Sequence, residues 1–212
     1  MKNALFVTGI GTEIGKTLVA AILAEALQAD YWKPVQCGSL HCTDAETVGS
    51  LISNASTTCH PEGYRLETPA SPHLAARQEN VNIDLRHLRE KYDSFATDTC
   101  VVVEGAGGIL VPLNETEFNV DLIKTLDASV VIVSRNYLGS INHSLLTSAF
   151  CRQRNLKVVG WVFNDQFMDY EDEIVAWSGY PKLGTIPYTE ELSKEFVRQM
   201  AALLAPQLKP LL

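Results

Sequence analysis

A glycine-rich segment near the N-terminus constrains the fold of this chain more than any other feature. The segment Gly9–Thr17 follows an apolar run, Ala4–Val7, and precedes a helical pattern that begins near Thr17. In such a loop, backbone N–H groups close around phosphate oxygens, a lysine reaches the outer phosphates and a threonine hydroxyl binds Mg²⁺. The helix that follows adds its positive N-terminal dipole. We therefore expect Lys16 and Thr17 to belong to a nucleotide site.

The glycine spacing of this loop departs from the usual pattern, which places four residues between the first glycine and the Gly-Lys pair. Five residues separate Gly9 from Gly15, three separate Gly11 from Gly15, and Ile10 stands where the regular pattern has glycine. A turn that merely joins a strand to a helix is the alternative interpretation. The preceding strand, the following helix and three glycines within seven residues favour the phosphate site.

Short β-rich apolar runs alternate with helical patterns along the chain, which is typical of a parallel sheet with crossover helices. Runs such as Val101–Val103 are apolar on both faces, as in strands that helices cover on each side. The predicted strands are Ala4–Val7, Tyr31–Val35, Cys100–Glu104, Ser129–Val133, Val158–Phe163 and Leu183–Ile186, and the predicted later helices are Ala45–Ile52, Asp84–Phe95, Ile141–Arg154 and Glu190–Leu204. We predict an α/β fold with a P-loop NTPase-like, doubly wound and mainly parallel sheet flanked by helices. Residues 1–212 are expected to form one domain, with 54–80 as an irregular excursion.

Charge and composition narrow the classes of partner. The chain has 25 acidic and 17 basic residues and a formal net charge of −8, whereas a nucleic-acid groove usually brings a basic excess. No apolar run approaches the roughly 20 residues that span a bilayer, and the N-terminal residues do not resemble a signal peptide. The five cysteines are scattered and odd in number, which does not indicate a disulfide framework. We predict a reduced, cytoplasmic protein that binds neither nucleic acid nor membrane.

Two acidic residues, Glu104 and Asp44, are candidates to complete a Mg·ATP site, and Lys33 is a further candidate beside them. Glu104 ends an apolar strand pattern, and the carboxyl end of a buried strand faces the crevice where such sheets bind ligands. Asp44 stands just before a predicted helix, where an N-cap is the alternative interpretation. Lys33 ends the second predicted strand, directly before Pro34, and a solvated surface charge is the alternative there.

Taken together, these segments resemble the dethiobiotin synthetases, the ATP-dependent ligases of biotin synthesis. The resemblance runs from Phe6 to about Tyr188, and the shared order and spacing of its motifs carry it. These motifs are Gly9–Thr17, Lys33-Pro34-Val35, Gly38-Ser39, Asp44-Ala45, Ser71-Pro72-His73, Val103–Gly108, Leu138–His143, Gly160-Trp161-Val162, Asn164-Asp165, Gly184 and Ile186-Pro187. The five-residue spacing of the loop is itself the form found in that family.

The resemblance implies a reaction that joins CO₂ to 7,8-diaminopelargonate and forms the cyclic urea dethiobiotin, while ATP becomes ADP and phosphate. One amine captures CO₂ as a carbamate, whose oxygen attacks the γ-phosphate to give a carbamic–phosphoric anhydride. The second amine then closes the ring and expels phosphate. The resemblance further implies ATP as co-substrate, Mg²⁺ as cofactor, and a homodimer whose substrate site is shared across the interface.

The resemblance also implies roles for individual residues. Lys33 and Lys16 are the implied catalytic residues, and Thr17, Asp44 and Glu104 are the implied Mg²⁺ ligands. The implied nucleotide-binding residues are Glu13, Ile14, Gly15, Lys16, Thr17, Leu18, Asp44, Glu104, Gly105, Ala106, Gly107, Asn164, Asp165, Pro187 and Tyr188, of which Asn164 reads adenine and the last two line the base pocket. The implied substrate-binding residues are Thr12, Cys37, Gly139, Ser140, Ile141 and Asn142.

Two positions depart from the family pattern. Cys37 stands where the family often has a hydroxyl residue, and because a thiol is a weak donor and acceptor, Ser39 or a backbone group is an alternative contact. The family's ribose-contacting glutamate has no secure match. Glu190 and Glu191 are candidates, but Lys194 lies nearer the expected spacing, so this role stays unassigned.

Three other functions are weighed against the synthetase. A nucleotide kinase usually carries an arginine-rich lid segment, and the sequence shows none. A partitioning or assembly ATPase of the same deviant-loop superfamily usually carries an extra lysine near the start of the loop, and residues 8–12 contain none. A metal-binding module is the non-enzyme alternative, because zinc sites draw on cysteine and histidine. Its candidate ligands are Cys37, His41, Cys42, Cys59 and His60. Small apolar thiols and surface histidines explain these residues more simply.

Overall fold

The computed structural model describes residues 3–39, 41–165 and 167–208. Strands and helices alternate along these ranges. The strands are β1 (Ala4–Gly9), β2 (Asp30–Trp32), β3 (Val35–Cys37), β4 (Cys59–His60), β5 (Tyr64–Leu66), β6 (Val101–Gly108), β7 (Ser129–Arg135), β8 (Val158–Asn164) and β9 (Lys182–Ile186). The helices are α1 (Lys16–Leu27), α2 (Asp44–Leu51), α3 (Pro72–Gln78), α4 (Leu85–Asp93), α5 (Asn119–Thr125), α6 (Ser140–Gln153), α7 (Glu171–Ser178) and α8 (Lys194–Leu208).

Seven strands form one parallel sheet in the order β4-β2-β6-β1-β7-β8-β9. Strand β1 lies in the middle, so the chain adds β6, β2 and β4 on one side of it and β7, β8 and β9 on the other. Such a reversal leaves a crevice at the carboxyl ends of the central strands, where open α/β sheets bind ligands. The predicted α/β class and mainly parallel sheet are therefore confirmed.

Helices cover both faces of this sheet, because successive side chains of a strand point to opposite faces. Leu5 and Val7 of β1 pack into a core with Ile22 of α1. Phe6, between them, packs into a second core with Leu88 of α4. Strands buried on both faces read as continuous apolar runs, which explains why the sheet was visible in the sequence. Among the described residues, no helix is long and apolar enough to cross a bilayer.

The predicted single strand Tyr31–Val35 is wrong, because the chain leaves the main sheet between Trp32 and Val35. Pro34 has no N–H to donate to a sheet, and its carbonyl instead accepts the N–H groups of Gly63 and Tyr64. Strand β3 then pairs with β5 in a separate two-stranded parallel sheet. After this break, the residues of β3 lie beside the crevice at the centre of the main sheet.

Other boundaries also differ from the sequence prediction. The segment 54–80 is not irregular throughout, because it contains β4, β5 and α3. Helices α5 and α7 were not predicted, and strand β6 continues four residues beyond Glu104, to Gly108. The last helix begins at Lys194 rather than Glu190, since the hydroxyl of Ser193 accepts the N–H of Phe196 at 3.2 Å and holds the new helix start.

Candidate active site

The glycine-rich loop spans the gap between β1 and α1, as the sequence predicts. Lys16, the first residue of α1, turns its Nζ back to the carbonyl of Gly11 at 3.0 Å. Gly15 has a left-handed backbone, with φ of 84°. A Cβ at this position would lie 2.0 Å from Nδ2 of Asn164, whose side chain donates to the carbonyl of Ile14 at 3.0 Å. Glycine is therefore required at position 15 by both backbone conformation and space.

Glu104 lies beside this loop and is almost fully buried. Its Oε1 accepts hydrogen bonds from Nζ of Lys33 at 2.9 Å and from the hydroxyl of Thr17 at 3.0 Å. Its other oxygen, Oε2, accepts the hydroxyl of Tyr31 at 2.7 Å. A buried carboxylate is tolerated when it is paired and hydrogen-bonded, and Glu104 meets both conditions.

Lys33 joins Glu104 to the second candidate carboxylate. Its Nζ lies 2.5 Å from Oδ2 of Asp44, and its side chain is only 6% exposed. The solvated-surface interpretation of Lys33 is therefore wrong. The N-cap interpretation of Asp44 is also wrong, because Thr43 is the N-cap of α2 and closes a capping box with Glu46.

A cavity of about 510 Å³ brings these groups together. The sequence-predicted residues that line it are Thr12, Glu13, Gly15, Lys16, Thr17, Lys33, Cys37, Asp44, Glu104, Ala106 and Gly107. Ser39, the alternative contact to Cys37, lines it as well. Gly105 does not line this cavity, because it packs against the Phe6 ring, which a Cβ at position 105 would approach to 2.6 Å.

Burial and charge shift the titration of the groups around this cavity. Burial lowers the pKa of Lys16 to about 8, and the nearby charge of Lys33 adds to that effect. Burial alone would lower the pKa of Lys33 too, but the carboxylates of Glu104 and Asp44 outweigh it and the pKa is raised. Lys33 therefore stays positively charged near neutral pH. Lys16 loses its proton about one pH unit above neutrality.

Two uncharged side chains in this region keep their protons at neutral pH. Burial raises the pKa of the Cys37 thiol to about 11, so Cys37 offers a weak hydrogen-bonding group rather than a thiolate nucleophile. Burial and the charge of Glu104 raise the pKa of Tyr31 well above its usual range. The Tyr31 hydroxyl therefore remains a donor to Glu104.

The donor set fits a Mg²⁺ ion. A threonine hydroxyl and two carboxylates are the hard oxygen ligands that Mg²⁺ prefers, and the remaining positions are usually filled by waters and substrate phosphates. Thr17 and Lys33 both touch Glu104, and Lys33 also touches Asp44, so the three oxygen-bearing side chains converge on one small volume. Thr17, Asp44 and Glu104 are the residues that would hold the ion.

The zinc alternative finds no support in the geometry. Within residues 3–39, 41–165 and 167–208, no three histidine, cysteine or acidic side chains gather in a way that could hold a metal ion. Nε2 of His60 lies 2.9 Å from Oδ2 of Asp30, and its ring stacks on Phe95. The Cys42 thiol lies 3.5 Å from the hydroxyl of Thr47. These residues have structural partners of their own.

A second cavity, of about 650 Å³, adjoins the other side of the loop. Its lining includes Glu13, Ile14 and Asp165 from the predicted nucleotide set. Asp165 forms an ion pair with Arg135, with Nη2 and Oδ2 2.9 Å apart, and neither the pair nor Arg135 was expected from the sequence. The volume of this cavity would accommodate a nucleobase beside the phosphate loop.

The remaining predicted nucleotide contacts lie outside both cavities. Leu18 is half-buried in the first turn of α1. Pro187 and Tyr188 follow β9 and are exposed, Tyr188 to 69%. Neither is among the described residues that line the two cavities, so their role at the base stays a prediction.

The predicted substrate-binding residues Gly139–Asn142 lie at the start of α6, which begins at Ser140 rather than Ile141. Gly139 has φ of 100°, and a Cβ built there would meet nothing within 4 Å. The Ser140 hydroxyl is buried and lies 2.8 Å from the hydroxyl of Tyr170. A largely apolar groove of about 470 Å³ runs between the phosphate loop and α6, and its lining includes Leu110, His143, Leu146 and Phe150.

The fold, with its glycine-rich loop between β1 and α1, is that of the P-loop NTPases. Cell division ATPase MinD from Pyrococcus furiosus superposes over 100% of both chains, with a TM-score of 0.66 and 15% identity. A ParA family ATPase from Chlorobium tepidum covers 99% of this chain and 91% of its own, with a TM-score of 0.58 and 15% identity. At these identities the likeness shows the fold alone, so it does not favour the partitioning-ATPase alternative.

Sequence relatives identify the family within that class. A family model described as an AAA domain matches residues 3–196. An ATP-dependent dethiobiotin synthetase of Cytophaga hutchinsonii is 46% identical over 200 residues, which is 94% of this chain and 95% of the relative. One of Christiangramia forsetii is 41% identical and covers 91% and 92%. The chain belongs to the ATP-dependent dethiobiotin synthetase family, which confirms the resemblance found in the sequence.

Replacement of Gly15 tests the geometry of the loop. We expect Gly15→Ala to lower the free energy of unfolding by about 1–2 kcal/mol through the left-handed backbone alone, and by more through the clash with Asn164. Gly11→Ala is the matched control, since a Cβ at position 11 meets nothing within 4 Å. Chemical denaturation measures both variants. Equal stabilities of the two would contradict the assigned loop conformation.

The lowered pKa of Lys16 predicts a pH dependence of nucleotide affinity. A bound phosphate favours the charged lysine, so above pH 8 binding must take up the proton that free Lys16 has lost. The affinity for ADP should therefore fall by up to about tenfold per pH unit between pH 8 and 10. Titration calorimetry measures this slope. Lys16→Ala should bind more weakly at pH 7 and lack the slope, and parallel pH profiles of the two proteins would refute the assignment.

Proposed function

We propose that this protein is an ATP-dependent dethiobiotin synthetase, a ligase that joins CO₂ to diaminopelargonate and closes the cyclic urea. The observation that carries the proposal is the cluster that Asp44 and Thr17 form around the buried Lys33 and Glu104 beside the phosphate loop, in a chain of this family. Such a cluster supplies one fixed cation and a set of oxygen ligands next to the transferable phosphate.

The loop and Lys16 bind the nucleotide. Backbone N–H groups of the loop and the N-terminus of α1 hold phosphate oxygens, and Lys16 adds a positive charge. Thr17, Asp44 and Glu104 would hold a Mg²⁺ ion, which would supply positive charge next to the phosphates. Phosphoryl transfer needs little covalent chemistry from the protein, since positioning and electrostatic stabilisation supply most of the rate enhancement.

Lys33 acts on the carbamate. Because its raised pKa keeps it an ammonium near neutral pH, Lys33 is a charge stabiliser rather than a general base. Its Nζ belongs to the same cavity as Lys16, so it can pair with a carbamate oxygen while that carbamate attacks the γ-phosphate. Cys37 and Ser39 line the same cavity and offer polar contacts to the diamine.

The decisive experiment tests whether the protein uses diaminopelargonate and bicarbonate together. With diaminopelargonate, bicarbonate and Mg·ATP, the protein should form dethiobiotin, detected by its mass, and ADP release should require both the diamine and bicarbonate. Lys33→Gln should lower product formation by about 10²–10³-fold, the usual loss for one charge aimed at the transition state, and leave ADP affinity within about twofold.

Two outcomes would contradict these assignments. ATP turnover independent of the diamine would favour a partitioning ATPase over a synthetase. A loss confined to ADP affinity in Lys33→Gln would assign Lys33 to phosphate binding instead.

We further propose that the protein is a homodimer whose substrate site is shared. Diaminopelargonate carries a carboxylate far from its two amines, and the first-turn N–H groups of α6 lack intrahelical partners and suit such an anion. The groove between the loop and α6 exposes Leu110 to 52% and Leu146 to 61%. An exposed apolar patch of this kind is typical of a surface that another molecule covers, and a second copy satisfies two-fold symmetry.

Complementation between two damaged subunits tests the shared site. Lys16→Ala removes the phosphate half, and replacing Gly139–Asn142 so that the α6 start is blocked removes the carboxylate half. Each homodimer should be inactive, whereas mixed dimers should regain about half the wild-type sites, each built from two undamaged halves. Activity assays of re-equilibrated mixtures measure this. Heterodimers that form without regaining activity would place the whole site in one subunit.

We also propose a cytoplasmic protein that works as one domain. All five cysteines are free thiols, which suits a reducing compartment. The main sheet takes its strands from Ala4 to Ile186, and the two cavities that adjoin the phosphate loop are lined by residues from Thr12 to Phe167.

A further inference from the structure

Tyr31 lies next to the proposed metal site although nothing in its sequence surroundings points there. It is the middle residue of β2 and is fully buried. In the parallel pairing of β2 with β6, Tyr31 stands beside Val102, and the two share the core under α1. Glu104 follows Val102 by two residues and so emerges on the same face of the sheet. A long aromatic side chain spans such a diagonal.

The Tyr31 hydroxyl contacts the carboxylate of Glu104, and the two oxygens of that carboxylate have different partners. Oε2 accepts the Tyr31 hydroxyl at 2.7 Å. Oε1 accepts Thr17 and Lys33, which both line the cavity. Tyr31 itself is not part of the cavity wall. One oxygen is therefore held from the protein interior, and the other is presented to the ligand side.

We propose that Tyr31 is a positioning residue for the Mg²⁺-binding carboxylate of Glu104. The proposal rests on the proposed function only through the assignment of Glu104 as a Mg²⁺ ligand. By fixing Oε2, the hydroxyl sets the rotation of the carboxylate about its last bond. Oε1 then faces the position shared with Thr17 before any ion arrives, so the ion meets a prepared ligand.

Loss of the Tyr31 hydroxyl should lower the affinity for the metal ion and change little else. Residues that hold metal ligands by hydrogen bonds typically cost 10–100-fold in metal affinity when they are replaced. Phenylalanine keeps the ring that packs under α1, so the core around Val102 stays filled. The Tyr31 hydroxyl donates to Glu104 and not to the phosphate loop, so nucleotide binding without a divalent ion should be unchanged.

Tyr31→Phe tests the proposal through Mn²⁺ binding with saturating ADP, followed by the electron paramagnetic resonance of the free ion. We expect the Mn²⁺ dissociation constant to rise by about 10–100-fold, while ADP affinity in EDTA stays within about twofold. Tyr64→Phe is the matched control, since its hydroxyl accepts the N–H of Asp84 at 3.0 Å, outside the site. An unchanged Mn²⁺ affinity in a folded Tyr31→Phe protein would overturn the proposal.

A double-variant cycle separates positioning from a general effect on the fold. In a Glu104→Gln background, Tyr31→Phe should add no further loss of Mn²⁺ affinity, because its effect runs through that carboxylate. An additive loss would overturn the proposal. If Tyr31→Phe fails to fold, Tyr31→Met takes its place in both measurements, since methionine adapts to irregular core space.

These measurements involve no turnover, so they stand apart from the synthetase assay. A protein that makes no dethiobiotin but shows the expected Mn²⁺ loss would refute the proposed function alone. If the protein makes dethiobiotin but Tyr31→Phe leaves its Mn²⁺ affinity unchanged, this inference alone is refuted.

Discussion

The meeting of two lysines and two carboxylates in one small volume governs the architecture around the site. Lys16, Lys33 and Glu104 are buried there, and Asp44 is partly exposed. Ions buried without partners are costly, so Lys33 must lie between Asp44 and Glu104, and the chain breaks out of the main sheet at Pro34 to allow this. The formal charges of Lys16, Lys33, Asp44 and Glu104 cancel. A bare nucleotide or a bare divalent ion would each upset that balance, whereas a metal–nucleotide complex disturbs it least.

The central part of the site was predictable because its signals are local. Strand, glycine-rich loop, Lys16 and Thr17 are consecutive, and each obeys rules that operate within a few residues. The two interpretations of Asp44 were also separable in principle. Thr43 and Glu46 stand three residues apart, the spacing of a capping box, and that pattern assigns the cap to Thr43.

The parts that were missed depend on partners far away in the chain. The pairing of β3 with β5 involves strands of three residues each, too short to show a periodic pattern. Tyr31 contacts Glu104 although the two residues lie 73 positions apart in the sequence. Only the register of β2 against β6 shows that they are neighbours. The pair of Arg135 with Asp165 is of the same kind, because it needs β7 and β8 to end side by side.

The central position of β1 has a consequence for folding during synthesis. Its two neighbours, β6 and β7, begin at Val101 and Ser129, so on the ribosome β1 emerges long before either. At a synthesis rate of about 5–20 residues per second, β1 waits roughly 5–20 s for its first partner. During that time an apolar strand has both edges open, which makes the nascent chain a natural client of chaperones that shield such segments.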